Sequence, residues 1–208
     1  MTGMKTSNAR GQGVQVGDGR AFKTADLAKL IATAFEPLEP CRYLVPEPGH
    51  RLAVMGRFFE LEVAAAKEHG EVLVTGDHRG VALWLPRSGQ PAEVPELTED
   101  LAKAVGDYAE NFVAFERELS SHHPTGRAYV HLTELAVLPR AQRSGLGSAM
   151  LNLQHALLDA AGTPAYLEAA SLRLTTFYEC HGYERHGDPI VLPDGVQMYP
   201  MLREPQQR

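Results

Sequence analysis

Tyr129-Val130-His131-Leu132-Thr133-Glu134-Leu135-Ala136-Val137 runs straight into Leu138-Pro139-Arg140-Ala141-Gln142-Arg143-Ser144-Gly145-Leu146-Gly147-Ser148, and the reading of this stretch decides the fold. Residues Arg127 to Val137 predict a long strand. From Gly145 to Ala161 the residues Leu146, Ala149, Met150, Leu153, Leu157 and Ala160 share one helical face, and Gly162-Thr163-Pro164 stops the helix. Ala165 to Ala169 reads as the next strand. A strand, a helix and a strand in this order predict a right-handed crossover that sets the strands around Val130 and Tyr166 parallel. Beyond them a short helix from Leu174 to Cys180 ends near Gly182. Two further strands, Tyr183 to Val191 and Gln197 to Leu202, are expected to pair across Pro193-Asp194-Gly195.

Working upstream, Val14-Gln15-Val16 predicts a short strand and Asp26 to Phe35 a helix, broken by Pro37 and Pro40. Leu52, Met55, Phe59, Val63 and Ala66 form the apolar stripe of a helix from Gly49 to His69 that Gly70 ends. Val72-Leu73-Val74 and Val81-Ala82-Leu83-Trp84-Leu85 flank a Gly76 to Gly80 turn, as in a β-hairpin. After a Pro/Gly-rich connection from Pro86 to Pro95, Leu101, Val105, Tyr108, Phe112, Phe115 and Leu119 predict one long amphipathic helix with an aromatic seam. The sum is a single α/β domain over residues 1–208 with a mixed sheet, and a polar segment 1–11 expected to be flexible.

Composition narrows the function classes. Twenty Lys+Arg against 26 Asp+Glu give a net charge of -6 over 208 residues, so a basic surface for nucleic acid is not expected. No apolar run approaches the length of about 18 residues that suggests a membrane span. Cys41 and Cys180 fit neither a metal spacing nor a disulfide framework, which suggests a reducing, cytoplasmic setting. No metal site is expected, and the adjacent pair His122-His123 reads as an exposed loop.

The loop between strand and helix carries the chemistry. Backbone N–H groups at a helix start lack partners and lie at the positive end of the dipole, so a phosphate can take their place. Glycine lets the ligand come close. A P-loop would need a Lys after its glycine, and a dinucleotide fingerprint would need glycine where Met150 stands; neither pattern fits. The remaining pattern, Gln142-x-x-Gly145-x-Gly147, resembles the pyrophosphate loop of the GNAT superfamily of acyl-CoA N-acyltransferases. His131 to Val137 leading into Pro139, then Tyr166-Leu167-Glu168-Ala169, then Phe177-Tyr178-Glu179-x-x-Gly182-Tyr183, are similar to that superfamily's ordered motifs. The likeness is closest to its puromycin N-acetyltransferase-like branch. Ala34-Phe35, Pro46 to Arg51, His69-Gly70 and Val81 to Pro86 extend it over nearly the whole chain.

The resemblance implies a GNAT-type sheet, mostly antiparallel, splayed where acetyl-CoA enters and covered by helices on both faces. It implies acetyl transfer from acetyl-CoA, as cosubstrate, to a primary amine of a small molecule by direct attack in a ternary complex. The cofactor-binding residues it implies are Leu135, Ala136 and Val137 through their backbone, the loop residues Gln142, Arg143, Ser144, Gly145, Leu146, Gly147 and Ser148, and Leu174 with Tyr178. Arg143 stands where the family usually has glycine, and Leu174 where an asparagine is common. Tyr178 is the expected acid for the leaving thiolate, since a phenol stays protonated at neutral pH.

Strand alternation puts His131 and Thr133 on one face and Glu134 on the other, so His131 is the better base and Glu134 its rival if the strand is bulged. Glu168 and Glu179 carry low weight as amine-orienting groups. The acceptor region is expected from the N-terminal helices and residues 86–127. A non-catalytic acyl-CoA-binding sensor is the alternative, and a homodimer stays open.

Overall fold

The computed structural model describes residues 5–7, 14–91 and 97–206. Strands β1 (Lys5–Ser7) and β2 (Val14–Asp18) pair antiparallel, and three helices follow: α1 (Thr24–Phe35), α2 (Glu39–Leu44) and α3 (Pro48–His69). The hairpin β3 (Glu71–Thr75) and β4 (Gly80–Arg87) leads to α4 (Glu99–Val105), a 3-10 turn at Gly106–Tyr108, and α5 (Ala109–Ser121). Then come β5 (Tyr129–Val137), α6 (Leu146–Ala161), β6 (Ala165–Ala169), α7 (Leu172–Glu179), β7 (Glu184–Arg185), β8 (Ile190–Val191) and β9 (Gln197–Arg203). The sheet order is β1-β2-β3-β4-β5-β6-β9-β7, with β8 on β9. Only β5 and β6 pair in parallel, as the crossover requires; every other described pair is antiparallel.

Each sheet face is buried under helices, because both alternating residue sets of the central strands are apolar. Val72, Val74, Val81, Leu83 and Leu85 face α1, α3 and α5 through Ile31, Phe59, Val63 and Phe112. Leu73, Ala82, Trp84, Leu132 and Leu167 face α6 and α7 through Ala149, Met150, Leu158 and Tyr178. At the sheet's far side Arg203, almost fully buried, pairs bidentately with Asp159 of α6 at 2.7 and 2.9 Å.

Several expectations need correction. The long helix from Leu101 to Leu119 is two helices: Gly106 takes φ 57 and ψ -128 after α4, a conformation that suits glycine and interrupts the ladder. The aromatic seam survives the break, with Phe112, Phe115 and Leu119 buried. In α3, Leu52 is 47% exposed, and Val54 and Phe58 take its place in the stripe. Pro40 opens α2 near its first turn rather than ending a helix, where its missing N–H costs nothing. The Tyr183–Val191 strand is two short pieces, β7 and β8, both on β9. Within the N-terminal segment expected to be flexible, Lys5–Ser7 form β1; the rest of it lies outside the described residues, as does part of the Pro86 to Pro95 connection.

The end of α3 meets the sheet at Gly70, where an added Cβ would stand 1.9 Å from the carbonyl oxygen of Trp84. Backbone cannot yield there as a side chain can. Gly70→Ala should lower stability by about 2 kcal/mol or more, as overpacking does. Gly56→Ala, in the same helix with nothing within 4 Å of its Cβ, should instead raise it by about 0.5–1 kcal/mol. Urea unfolding midpoints of the two variants check both signs.

Candidate active site

The site begins with one extra residue in β5. On β4 the partners run Leu83↔Glu134 and then Trp84↔Leu132, so Thr133 is left over as a bulge. The phase of the strand flips there. Leu132 packs against the α6 side of the sheet, whereas Ala136 packs against the α3 side, although regular alternation would put them together. His131, opposite Leu85, and Glu134, opposite Leu83, therefore share the α3 face. The choice between His131 and Glu134 that a regular strand would impose does not arise.

The other edge of β5 opens. It pairs with β6 only through Val130↔Ala165 and His131↔Tyr166, after which β6 stays with β9 from Leu167 to Ala169. Residues 132–137 thus present backbone groups to a gap in the sheet. A cavity of ≈ 580 Å³ reaches this gap, lined from one face by Phe58, Phe59 and Phe115 and from the other by Leu167, Leu174 and Tyr178.

Four carboxylates line the same cavity: Glu62 from α3, Glu116 from α5, Glu134 from β5 and Glu168 from β6. Glu168 is held by histidines. Its Oε2 lies 2.8 Å from His131 Nε2, its Oε1 lies 3.1 Å from His123 Nε2, and its side chain is 5% exposed. His123 Nδ1 in turn meets the Tyr129 hydroxyl at 2.9 Å, so Tyr129, His123, Glu168 and His131 form one chain. Burial opposes the charge on Glu168, but His131, bonded to Oε2, and His123, close to Oε1, outweigh it and hold this carboxyl well below its usual range. Burial likewise pushes His131 below its ordinary value, against the pull of Glu168. An ionised Glu168 beside a neutral imidazole makes Nε2 the donor and leaves Nδ1, buried and without a partner among the described residues, as the lone-pair nitrogen.

His123 and Glu168 carry more than the sequence suggested. His123 is no exposed loop residue, with its side chain only 13% exposed. One ligand atom each from His123, His131 and Glu168 lies within 4.8 Å of the others, a donor set of the kind that holds a divalent metal. Each carboxylate oxygen already faces an imidazole nitrogen, so proton sharing accounts for the grouping.

The unheld carboxyls behave differently. Burial, then the fields of Glu62 and Glu116, push Glu134 well above its ordinary value. Burial and Glu62 push Glu116 up to about 8. Burial raises Glu62 against the opposing field of Arg87. Tyr178, buried in α7, is raised by burial and by Glu134, and so remains a protonated phenol at neutral pH. Leu174 sits partly buried against the same core as Tyr178 and reaches the cavity with an apolar side chain.

At the start of α6, Gly145 takes φ 88 and provides no side-chain cap. The first intrahelical bond runs from Ala149 N–H to the Gly145 carbonyl, so the N–H groups of Leu146, Gly147 and Ser148 precede the ladder. Arg143 is one of two non-glycine residues with positive φ among those described, at 62°. That backbone explains why glycine is common there, since a side chain in the left-handed region costs about 1–2 kcal/mol. A Cβ on Gly147 would lie 3.4 Å from the Phe177 ring, so the loop floor is closed by an aromatic edge. Gln142, Arg143 and Ser144 are exposed along the loop, whereas Leu146 and Ala136 are buried and offer only backbone. The Ser148 hydroxyl is engaged with His181 Nε2 at 3.0 Å. Glu179 is exposed and lies 3.9 Å from Arg185, away from the carboxylate group.

Comparison with known proteins bears on this arrangement. Residues 92–204, more than half of the chain, match the acetyltransferase (GNAT) domain family. Among solved structures the chain is similar to one from Corynebacterium glutamicum described as histone acetyltransferase HPA2 and related acetyltransferase, at 24% identity and TM-score 0.68, covering 94% of this chain and 98% of that one. It is also similar to mosquito arylalkylamine N-acetyltransferase like 5b (17% identity, TM-score 0.65, 92% and 99% covered). A third is arylalkylamine N-acetyltransferase 2 from Aedes aegypti (12% identity, TM-score 0.61, 93% and 99% covered). At such identities the structures carry the fold alone. The family match adds the lineage, and with the open mixed sheet and the uncapped helix beside its gap it leads to one conclusion: the chain belongs to the GNAT acetyltransferase family, whose members use acetyl-CoA as cosubstrate.

Proposed function

We propose that the chain moves the acetyl group of acetyl-CoA to a primary amine of a small molecule by direct attack in a ternary complex. One observation carries this reading: the gap beyond His131 opens a cavity to which the two faces of the sheet contribute a raised carboxyl, Glu134, and a protonated phenol, Tyr178. Acetyl transfer to an amine needs such a pair, one group to take the ammonium proton and one to supply a proton to the departing thiolate.

Acetyl-CoA supplies an activated thioester. The free N–H groups of Leu146, Gly147 and Ser148 suit its pyrophosphate, helped by the exposed guanidinium of Arg143. The unpaired edge of β5 from Leu135 to Val137 suits the pantetheine arm, with a backbone donor available for the developing oxyanion. Leu174 gives the arm an apolar contact in place of a polar one. Glu134 takes the proton of the attacking ammonium directly or through water. His131 acts as a positioning residue, because its free nitrogen is sealed from solvent and Glu168 holds its ring.

The finer likeness to the puromycin N-acetyltransferase-like branch, the action of residues 1–208 as one domain and a cytoplasmic setting belong to the same proposal. Free Cys41 and Cys180 are in keeping with that setting. The helices α1 to α5 would build the acceptor side. Among the described residues no helix is long and apolar enough to cross a membrane.

Coenzyme A should raise the melting temperature, with a gain of about 2.7 kcal/mol when it is present at a hundredfold its dissociation constant. Gly147→Glu should remove that gain, because a carboxylate would stand where the pyrophosphate binds. A variant that keeps the full thermal shift would detach the loop from the cofactor.

Tyr178→Phe retains the ring and deletes the hydroxyl. Thiol release measured over a panel of amines should fall by about 10² to 10⁴ while coenzyme A affinity holds. Binding without turnover on any amine, in the unaltered protein, would instead favour a non-catalytic acyl-CoA sensor.

Glu134 and His131 separate by pH. A base raised by burial is protonated and inactive at low pH, so kcat/KM should climb as pH rises through a limb above the ordinary carboxylate range. Glu134→Gln should erase the limb and lower turnover by about 10² or more. His131→Asn should lower turnover and leave the limb in place; loss of the limb in this variant alone would transfer the role of base to the histidine.

A further inference from the structure

Apart from raising Glu134, Glu62 and Glu116 have no task in the acetyl transfer described above. They reach the cavity from two different helices, α3 and α5, and no hydrogen bond to a described residue contributes to the state of either carboxyl. Among the residues lining the cavity Arg87 is the single Lys or Arg, against four carboxylates. Glu168 has His131 bonded to its Oε2, and Glu134 has the ammonium proton to take. One guanidinium then stands against two carboxyls.

A second observation points to a missing positive partner. Glu168 Oε1, in a side chain only 5% exposed that lines the same cavity, has His123 Nε2 3.1 Å away but out of line for a hydrogen bond, so it can still accept from a donor in the cavity. The walls between the polar groups are apolar, with Met55, Phe58, Phe59 and Phe115 among them. A ligand that suits this lining has charge at its ends and hydrocarbon or an aromatic ring between.

We infer that the acceptor is a dication, a primary amine carrying a second protonated nitrogen on an apolar spacer, and that Glu62 and Glu116 hold the end that does not react. The inference rests on the acetyltransferase reading and specifies its substrate class. Chemically, the reacting ammonium loses its proton during transfer, so a monoamine would leave the two carboxyls of α3 and α5 with Arg87 as their one cationic neighbour in the lining. A distal ammonium or guanidinium remains charged throughout and supplies a second. Buried carboxylates that gain such a partner make charge-assisted hydrogen bonds, stronger than neutral ones.

Steady-state thiol release with saturating acetyl-CoA tests this on matched acceptors of equal chain length: an n-alkylamine, an amino alcohol and an α,ω-diamine, over a range of lengths. The diamine should exceed the alkylamine in kcat/KM by about tenfold or more at its best length, which corresponds to about 1.4 kcal/mol. The amino alcohol should follow the alkylamine. Glu116→Gln and Glu62→Gln should shrink the diamine-to-alkylamine ratio toward one, whereas Glu134→Gln should slow both acceptors and leave the ratio. The coenzyme A thermal shift shows that each variant is folded.

An alkylamine as good as the diamine at every length, or a ratio unmoved by both glutamine variants, would overturn the dication and leave the acetyltransferase reading standing. No thiol release with any of the three acceptors, alongside intact coenzyme A binding, would tell against the acetyltransferase reading itself.

Discussion

The single extra residue at Thr133 is the constraint from which the site follows. A regular β5 could bury its apolar residues on one face only by sending Glu134 to the opposite face from His131. The bulge reverses the strand's phase in the middle, so Leu132 and Ala136 go into different cores and the two polar residues meet on one side. It also falls where β5 parts from β6, since the last pair between them is His131↔Tyr166. Local twist and separation at a bulge let the sheet open without breaking its other pairings, and β9 compensates by continuing along β6. The gap, the free backbone edge and the cavity are consequences of this one irregularity.

A cavity that sets several carboxyls among buried apolar side chains is unfavourable for the empty fold. Groups that cannot be hydrated and repel one another keep their protons to higher pH, which is the direction of the shift at Glu134 and Glu116. Their folded values lie above those of an unfolded chain, so the stability they contribute is complete below the ordinary carboxylate range and is lost as pH rises toward about 8, the value of Glu116. Glu168 has the opposite sign: its paired carboxylate stabilises above the ordinary range, and that contribution is lost as pH falls below it. One lining therefore contains a carboxyl held ionised to low pH by histidines and others that burial and their acidic neighbours shift upward. Such divergent environments are common where acid and base chemistry is done.

The loop before α6 shows a similar tension between stability and use. Gly145 turns the chain at φ 88 without strain, but Arg143 accepts a left-handed backbone at 62°. The helix start is left without a side-chain cap. A helix of 16 residues anchored by Leu146, Met150 and Leu158 in the core can tolerate an open end, and the packing of that face sustains the exposed N–H groups.

The amino-acid sequence by itself determined the order of strands and helices in the C-terminal half, because the periods of two and of about 3.6 residues are local signals and glycine and proline mark their ends. The loop pattern and Tyr178 were legible for the same reason: they lie in short ordered motifs. The helix break at Gly106 was only weakly visible, since an apolar seam that crosses a glycine still looks continuous. What the tertiary structure alone decided is the meeting of groups distant in the chain. Glu62, Glu116, His123 and Glu168 come from α3, α5, the segment after it and β6, and no spacing announces their shared cavity. The bulge at Thr133 was open from sequence and was settled by register, because a strand's phase depends on the partner it pairs with and on the two cores it must fill at once.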